Sequence, residues 1–271
     1  MEKRNYSRGV NFRAPSREKD NKIEMIFGLR PILEALGAGK GLERIYLQKG
    51  QKNSITQEIT ELAHHANIPV ALVPPEKLDT LTRKNHQGAV AFIAAISYAP
   101  LDNIVAGIYE KGKTPLLLIL DRITDVRNFG SIARNAECLG VDAIIIPSRG
   151  AAQINGDALK TSAGALNIIP VCRENNLKDT LNFLQQSGIQ VVACTEKSDL
   201  TITAPELDLT GPTAILMGSE EDGISPEYLK KADVRVKIPM AGQISSLNVS
   251  VASGIVLFEV LRQRLAVNSF Q

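Results

Sequence analysis

The sequence predicts an α/β chain in two parts, a small mixed unit followed by a larger one on a mostly parallel sheet. Three observations carry this. From Leu116 onward, short apolar runs without polar alternation recur between helical segments, as in strands covered on both faces. Between Ile23 and Tyr98, shorter strand-like runs alternate with amphipathic helical stretches. A polar connection over 99–115, with the linker proper at 99–113, holds a short helix and is closed by Gly112 and Pro115. The 271 residues suffice for two modest domains, placed at 23–98 and 114–271.

In the first unit, Pro31 suits a first helical turn, Ile32, Leu33, Ala35 and Leu36 supply an apolar stripe, and Gly37 stops it. ERIYLQ (43–48) and PVALV (69–73) read as strands. Ser54 is placed to cap the helix between them, which carries Ile55, Ile59 and Leu62. AVAFIAAISY (89–98) is the last strand, after His86-Gln87-Gly88. In the second unit the strands are LLLIL (116–120), AIII (143–146), IIPV (168–171), IQVVAC (189–194) and TAILM (213–217). The C-terminus reads as one amphipathic helix with Leu247, Val251, Gly254, Ile255, Phe258, Leu261 and Leu265 on its apolar side, and Glu259, Arg262 and Gln263 elsewhere.

Composition excludes several classes. No apolar run approaches the roughly 18 residues of a spanning helix, and the charged N-terminus lacks a secretory core. Cys138, Cys172 and Cys194 are scattered, with no metal-ligand spacing, so neither a disulfide framework nor a metal site is expected, and a reducing, cytoplasmic setting fits. The net charge of +2 is unevenly spread: residues 1–22 hold seven Lys/Arg against three Asp/Glu. A basic arm too polar to fold alone therefore precedes a near-neutral body, and it suits a polyanion.

Two phosphate-loop look-alikes fail on context. GIYEKGKT (107–114) matches a phosphate-loop pattern, yet a helix precedes it and a strand follows, the reverse of what converging N–H groups require. GAGKG (37–41) follows a helix and opens onto a strand, so its glycines read as a helix stop.

Chemistry concentrates in three polar, glycine-bearing segments just after predicted strands, where open parallel sheets place ligands. LDRITDVRNFGSIARNAECLG (120–140) offers Asn128 as a helix cap and Arg134 on the polar side, within reach of Glu137. ILMGSEEDGIS (215–225) joins Gly218, which permits close backbone approach, to Glu220, Glu221 and Asp222. KIPMAGQISSLNVSVASGIVLFEVLRQR (237–264) brings Ser245, Ser246, Leu247 and Asn248 to a helix start.

Together these segments resemble the signature motifs of the SpoU-type (TrmH-like) RNA 2′-O-ribose methyltransferases of the SPOUT superfamily, over about 114–266. The patterns are N-x-G-x-x-x-R, M-G-S-E-x-x-G and I-P-M-x-G-x-x-S-S-L-N-V-S-V-A. FGLRPILEAL and HQG make the front zone similar to the substrate-binding domain of the subgroup acting on guanosine in large-subunit ribosomal RNA. The resemblance implies a ribosomal-protein-like α/β front domain, a SPOUT domain with a deep trefoil knot, a homodimer, and S-adenosylmethionine as methyl donor without metal or membrane. It assigns Asn128, Arg134 and Glu220 to catalysis. Gly218, Ile238, Met240 and Leu247, with Met217 and Thr195, would bind the cofactor; Ser246, Asn248 and His86 would bind RNA. Val126 departs from the proline many relatives carry there. A tRNA or antibiotic-resistance rRNA methyltransferase, or a non-catalytic RNA-binding assembly factor, remain the alternatives.

Overall fold

The computed structural model describes residues 24–268 except Ser245. The basic arm 1–22 and Ser245 lie outside the described residues.

The small unit is a four-stranded mixed sheet ordered β1-β4-β2-β3, from β1 (Met25–Phe27), β2 (Leu42–Gln48), β3 (Val70–Val73) and β4 (Ala89–Ile93). β2 runs parallel to β3 and antiparallel to β4. Helices α1 (Leu29–Gly37) and α2 (Ser54–His65) supply an aliphatic core with Ile32, Leu42, Ile45 and Ile59. Asn53, not Ser54, caps α2, because its side chain accepts from Thr56 N while Thr56 Oγ1 accepts from Asn53 N. The short helix α3 (Pro75–Leu81) precedes β4. β4 stops at Ile93; Tyr98, read as the same strand, instead bridges to Val171 of the larger sheet.

The connection is no free tether. It forms α4 (Leu101–Glu110), whose Leu101, Val105 and Ile108 are buried in the core of the larger domain. The phosphate-loop look-alike thus begins inside α4 and runs into β5 (Leu116–Leu120), in the unsuitable order.

The larger sheet is all-parallel, with β6 (Ala143–Pro147), β7 (Val171–Glu174), β8 (Gln190–Cys194), β9 (Thr213–Met217) and β10 (Val234–Val236) in the order β10-β8-β9-β5-β6-β7. Every residue of β5 is buried: Leu116, Leu118 and Leu120 on one face, Leu117 and Ile119 on the other. That is why its sequence lacks alternation. On the first face lie α5 (Val126–Cys138), α6 (Gly156–Thr161) and α9 (Val249–Asn268). α7 (Leu177–Gln186) and α8 (Pro226–Lys231) join α4 on the second. Ile168, expected in a strand, is 69% exposed and precedes β7.

Helix α9 corrects the sequence reading. Its core side is Val249, Val256, Leu257 and Val260, whereas the expected apolar side points outward: Val251 is 51%, Ile255 39% and Phe258 58% exposed. Glu259 is buried and accepts from Arg262 and Gln263. The helix is apolar on two sides, and only one of them meets this chain's core.

Candidate active site

The site forms where β5, β8 and β9 end, and where the strand order turns from β5 towards β6 on one side and β9 on the other. Asp125, not Asn128, caps α5: its Oδ1 accepts from Asn128 N at 2.7 Å. This frees the Asn128 side chain, which donates from Nδ2 to Glu220 Oε1 at 3.2 Å. Asn248 Nδ2 donates to the same oxygen at 2.6 Å and to Asn128 Oδ1 at 3.0 Å. Val249 N donates to Glu220 Oε1 at 3.1 Å, and Asn248 Oδ1 in turn accepts from Ser250 N at 3.0 Å. Three segments far apart in sequence therefore converge on one carboxylate oxygen, with Asn248 also capping α9.

Glu220 is held by its own turn. Ser219 and Gly223 pair through both main-chain bonds, at 3.2 and 3.0 Å, folding the turn back on Gly218. A Cβ on Gly218 would lie 2.1 Å from Gly223 C, so packing against backbone, rather than approach to a ligand, demands glycine here. Arg122 pins the turn from outside. Its Nη1 donates to Asp222 at 2.9 Å and its Nη2 to Gly223 O at 3.1 Å, while Nε donates to buried Asp121 at 3.2 Å. Arg122 does this with φ of 57°, a strained value for a non-glycine residue. Asp121 also accepts from Ser225 N at 2.7 Å, fixing the far end of the loop.

Beside this turn opens a cavity of about 450 Å³ whose walls include Thr195, Met217, Gly218, Ile238, Met240 and Leu247, together with Ser246 and Glu220. Every residue expected to hold a cofactor is on its wall. Sequence reasoning missed Glu196, Lys197 and Ser219, which also line it. Their signal was position, since each lies two or three residues past the end of a buried strand, β8 or β9. Burial, reinforced by Glu196, pushes the Cys194 thiol on the same wall up to about 11, so it is not a thiolate nucleophile near neutral pH. Among the described residues no group of His, Cys, Asp and Glu is placed to hold a metal ion, and no helix is long and apolar enough to cross a membrane.

Two expected residues stand apart. Arg134 is exposed on α5, does not line the cavity, and its side chain makes no hydrogen bond or ion pair among the described residues, Glu137 included. His86 lies in the small domain, with Nε2 at 3.0 Å from Asp79 and Nδ1 accepting from Gly88 N at 3.1 Å. Nδ1 thereby holds the turn before β4, while Nε2 faces the exposed Asp79 of α3.

A parallel sheet with a polar-rimmed pocket at its carboxyl edge, tied to a small separate α/β domain, defines a two-domain enzyme of the ligand-at-strand-end kind. The particular family follows from comparison. The model of the SpoU rRNA Methylase family matches residues 115–258, and that for RNA 2′-O ribose methyltransferase substrate binding matches 25–99. The chain belongs to the SpoU methylase family. It is 38% identical to the 23S rRNA (guanosine-2′-O-)-methyltransferase RlmB of Pseudomonas aeruginosa, over 89% of this chain and 97% of that protein. It is 37% identical to an uncharacterized tRNA/rRNA methyltransferase of Mycobacterium sp. (strain KMS), over 93% of this chain and 80% of that protein. Among solved structures it resembles the SpoU methyltransferase AviRb from Streptomyces viridochromogenes in complex with the cofactor AdoMet. That likeness has a TM-score of 0.57 and 26% identity, covering 89% of this chain and 90% of that one.

Proposed function

We propose that this chain methylates the ribose 2′-hydroxyl of a guanosine in 23S ribosomal RNA, in the cytoplasm and as a homodimer. Its family membership carries the coarser statement, that it is an S-adenosylmethionine-dependent RNA 2′-O-methyltransferase. The ribosomal guanosine rests on likeness to RlmB, matched over nearly that protein's full length. The single structural observation behind the chemistry is the convergence of Asn128, Glu220 and Asn248 at the rim of the strand-end cavity.

The cavity fits the cofactor. S-Adenosylmethionine supplies a methyl group already activated on a sulfonium. Met217, Ile238, Met240 and Leu247 offer apolar walls, and Glu196, Glu220, Glu221 and Asp222 outnumber Lys197 around a ligand centre that is positively charged. Glu220 orders the site: Oε1 serves three donors, which fixes Asn128 and Asn248, and in this reading the hydroxyl proton leaves through Glu220 or water. A guanidinium has a pKa above about 12 and is no base at neutral pH. Arg134 acts instead as a donor to the flanking phosphate and the developing alkoxide.

Within one chain Arg134 does not reach the cavity, so catalysis needs a second copy to bring an α5 helix over it. The outward apolar side of α9 supports that dimer. Val251, Ile255 and Phe258 line a shallow groove with Ser131 and Asn135 of α5, the helix that carries Arg134. Threading of the C-terminal part as a trefoil knot belongs to the same proposal. It rests on membership of the SpoU methylase family and likeness to a solved SpoU methyltransferase.

Mapping 2′-O-methyl groups in total RNA from cells with and without the protein tests the assignment. Loss of one methyl on a 23S guanosine is expected. Loss at a tRNA site with ribosomal RNA unchanged would overturn it.

A further inference from the structure

The two domains meet at a buried charged cluster that lies outside the cavity. Glu43 on β2 is 8% exposed and Arg173 on β7 is 5% exposed. Arg173 donates from Nη1 to Glu43 O and from Nη2 to Leu42 O, each at 3.0 Å, so its fork grips two successive carbonyls of the small domain. The guanidinium stacks on the Tyr98 ring, 3.9 Å from its centroid, and lies 3.6 Å from the Glu43 carboxylate. Tyr98, on the crossing between the domains, donates to Glu43 Oε2 at 2.6 Å, and Glu43 Oε1 accepts from Ile154 N at 3.1 Å. Burial first, then the Glu43 charge, hold the Tyr98 hydroxyl well above its usual range, so it is a neutral donor.

An apolar contact would join two domains without withdrawing charges from water. What this cluster adds is direction. A planar fork on two carbonyls, a ring stack and a carboxylate with both oxygens engaged occur together in one relative pose, with only the buried Arg173 Nε left without a partner in the cluster. The carboxylate also reaches towards the active site. Ile154 is followed by Asn155, which caps α6 by accepting from Asp157 N at 2.9 Å and Ala158 N at 3.2 Å. Helix α6 packs so closely on α5 that a Cβ on Gly130 would lie 2.8 Å from Thr161 Cβ. And α5 carries Asn128 and Arg134.

We infer that Glu43, Arg173 and Tyr98 form an orientation lock that sets where RNA held by the small domain is presented to the methyl-transfer site, with Glu43 as its positioning residue. The inference rests on the RNA methylation proposed above for its substrate, but the lock itself is measurable without RNA. In the full-length protein, spin labels on Cys138, exposed at the end of α5, and on K49C in the small domain report the interdomain distance. Glu43→Gln and Arg173→Met are compared with the parent, and Tyr98→Phe, which removes one hydroxyl, serves if either fails to bind S-adenosylmethionine. With labelled subunits diluted into excess unlabelled protein, so that intrasubunit distances alone are read, the parent gives one narrow distance distribution and the variants broaden it. kcat/KM on ribosomal RNA from cells lacking the protein falls about tenfold or more, while S-adenosylmethionine affinity is unchanged. Narrow distributions and parental kinetics in all folded variants would overturn the lock. A parent that is narrow but methylates no RNA would refute the proposed function and leave the lock standing.

Discussion

Gly218→Ala tests how the active-site turn is built. The added Cβ would lie 2.1 Å from Gly223 C, 2.2 Å from Ile224 N and 2.3 Å from Gly223 O, all backbone atoms that no rotamer change can move. Ordinary contact begins near 3.4 Å, so the Ser219–Gly223 turn must retreat by about 1.3 Å (3.4 − 2.1). Glu220 rides on that turn, and its hydrogen bonds to Asn128, Asn248 and Val249 are already 3.2, 2.6 and 3.1 Å long. A shift of this size breaks the longer two and unseats the start of α9. Overpacking of this kind costs about 1–3 kcal/mol of stability, and misplacing reacting groups by about 1 Å lowers the rate about 100-fold. Thermal melting, calorimetric titration with S-adenosylmethionine and methyl transfer to ribosomal RNA measure the three consequences. A variant with parental melting temperature and turnover within twofold of the parent would refute the reasoning.

On the proposed role of Arg134 as a charged donor to the developing oxyanion, Arg134→Ala should lower kcat by about 100- to 1000-fold. It should leave melting temperature and S-adenosylmethionine affinity unchanged, because the side chain is exposed and bonded to nothing among the described residues. Phe258→Asp places a charge on a side chain 58% exposed in the single chain. The monomer should stay folded while sedimentation shows the proposed dimer weakened by more than about tenfold, since burying such a ring contributes about 1.5–3 kcal/mol. Glu220→Gln keeps an acceptor for the convergent donors and Glu220→Ala keeps none. Turnover should therefore fall further in the alanine variant, and equal losses would count against Glu220 as the hub of the three segments.

Much of this fold was legible because it rests on local signals. LLLIL and TAILM are buried on both faces and so show no alternation, and the three motif segments sit at strand ends because a parallel sheet places its ligand-facing loops there. The cofactor-wall residues were found from the resemblance of those motifs, and all of them line one cavity. What failed was assignment of partners. Asn128 reads as a cap because it is an asparagine before an apolar stripe, yet Asp125 three residues earlier takes that role. Gly218 reads as room for a ligand, yet a neighbouring backbone fills that space.

Sequence by itself determined the alternation of helices and strands along the larger domain, the family, and, through the family's motifs, six residues of the cavity wall, since each depends on periodicity or on runs of adjacent residues. Tertiary structure alone decided which side of α9 faces inward. Both sides are apolar, and only contact with α5 and the sheet selects between them. It also decided the pose of the two domains. That pose depends on Glu43, Tyr98 and Arg173, three residues scattered through the chain, and no local pattern could reveal that a carboxylate, a ring and a guanidinium would be buried together.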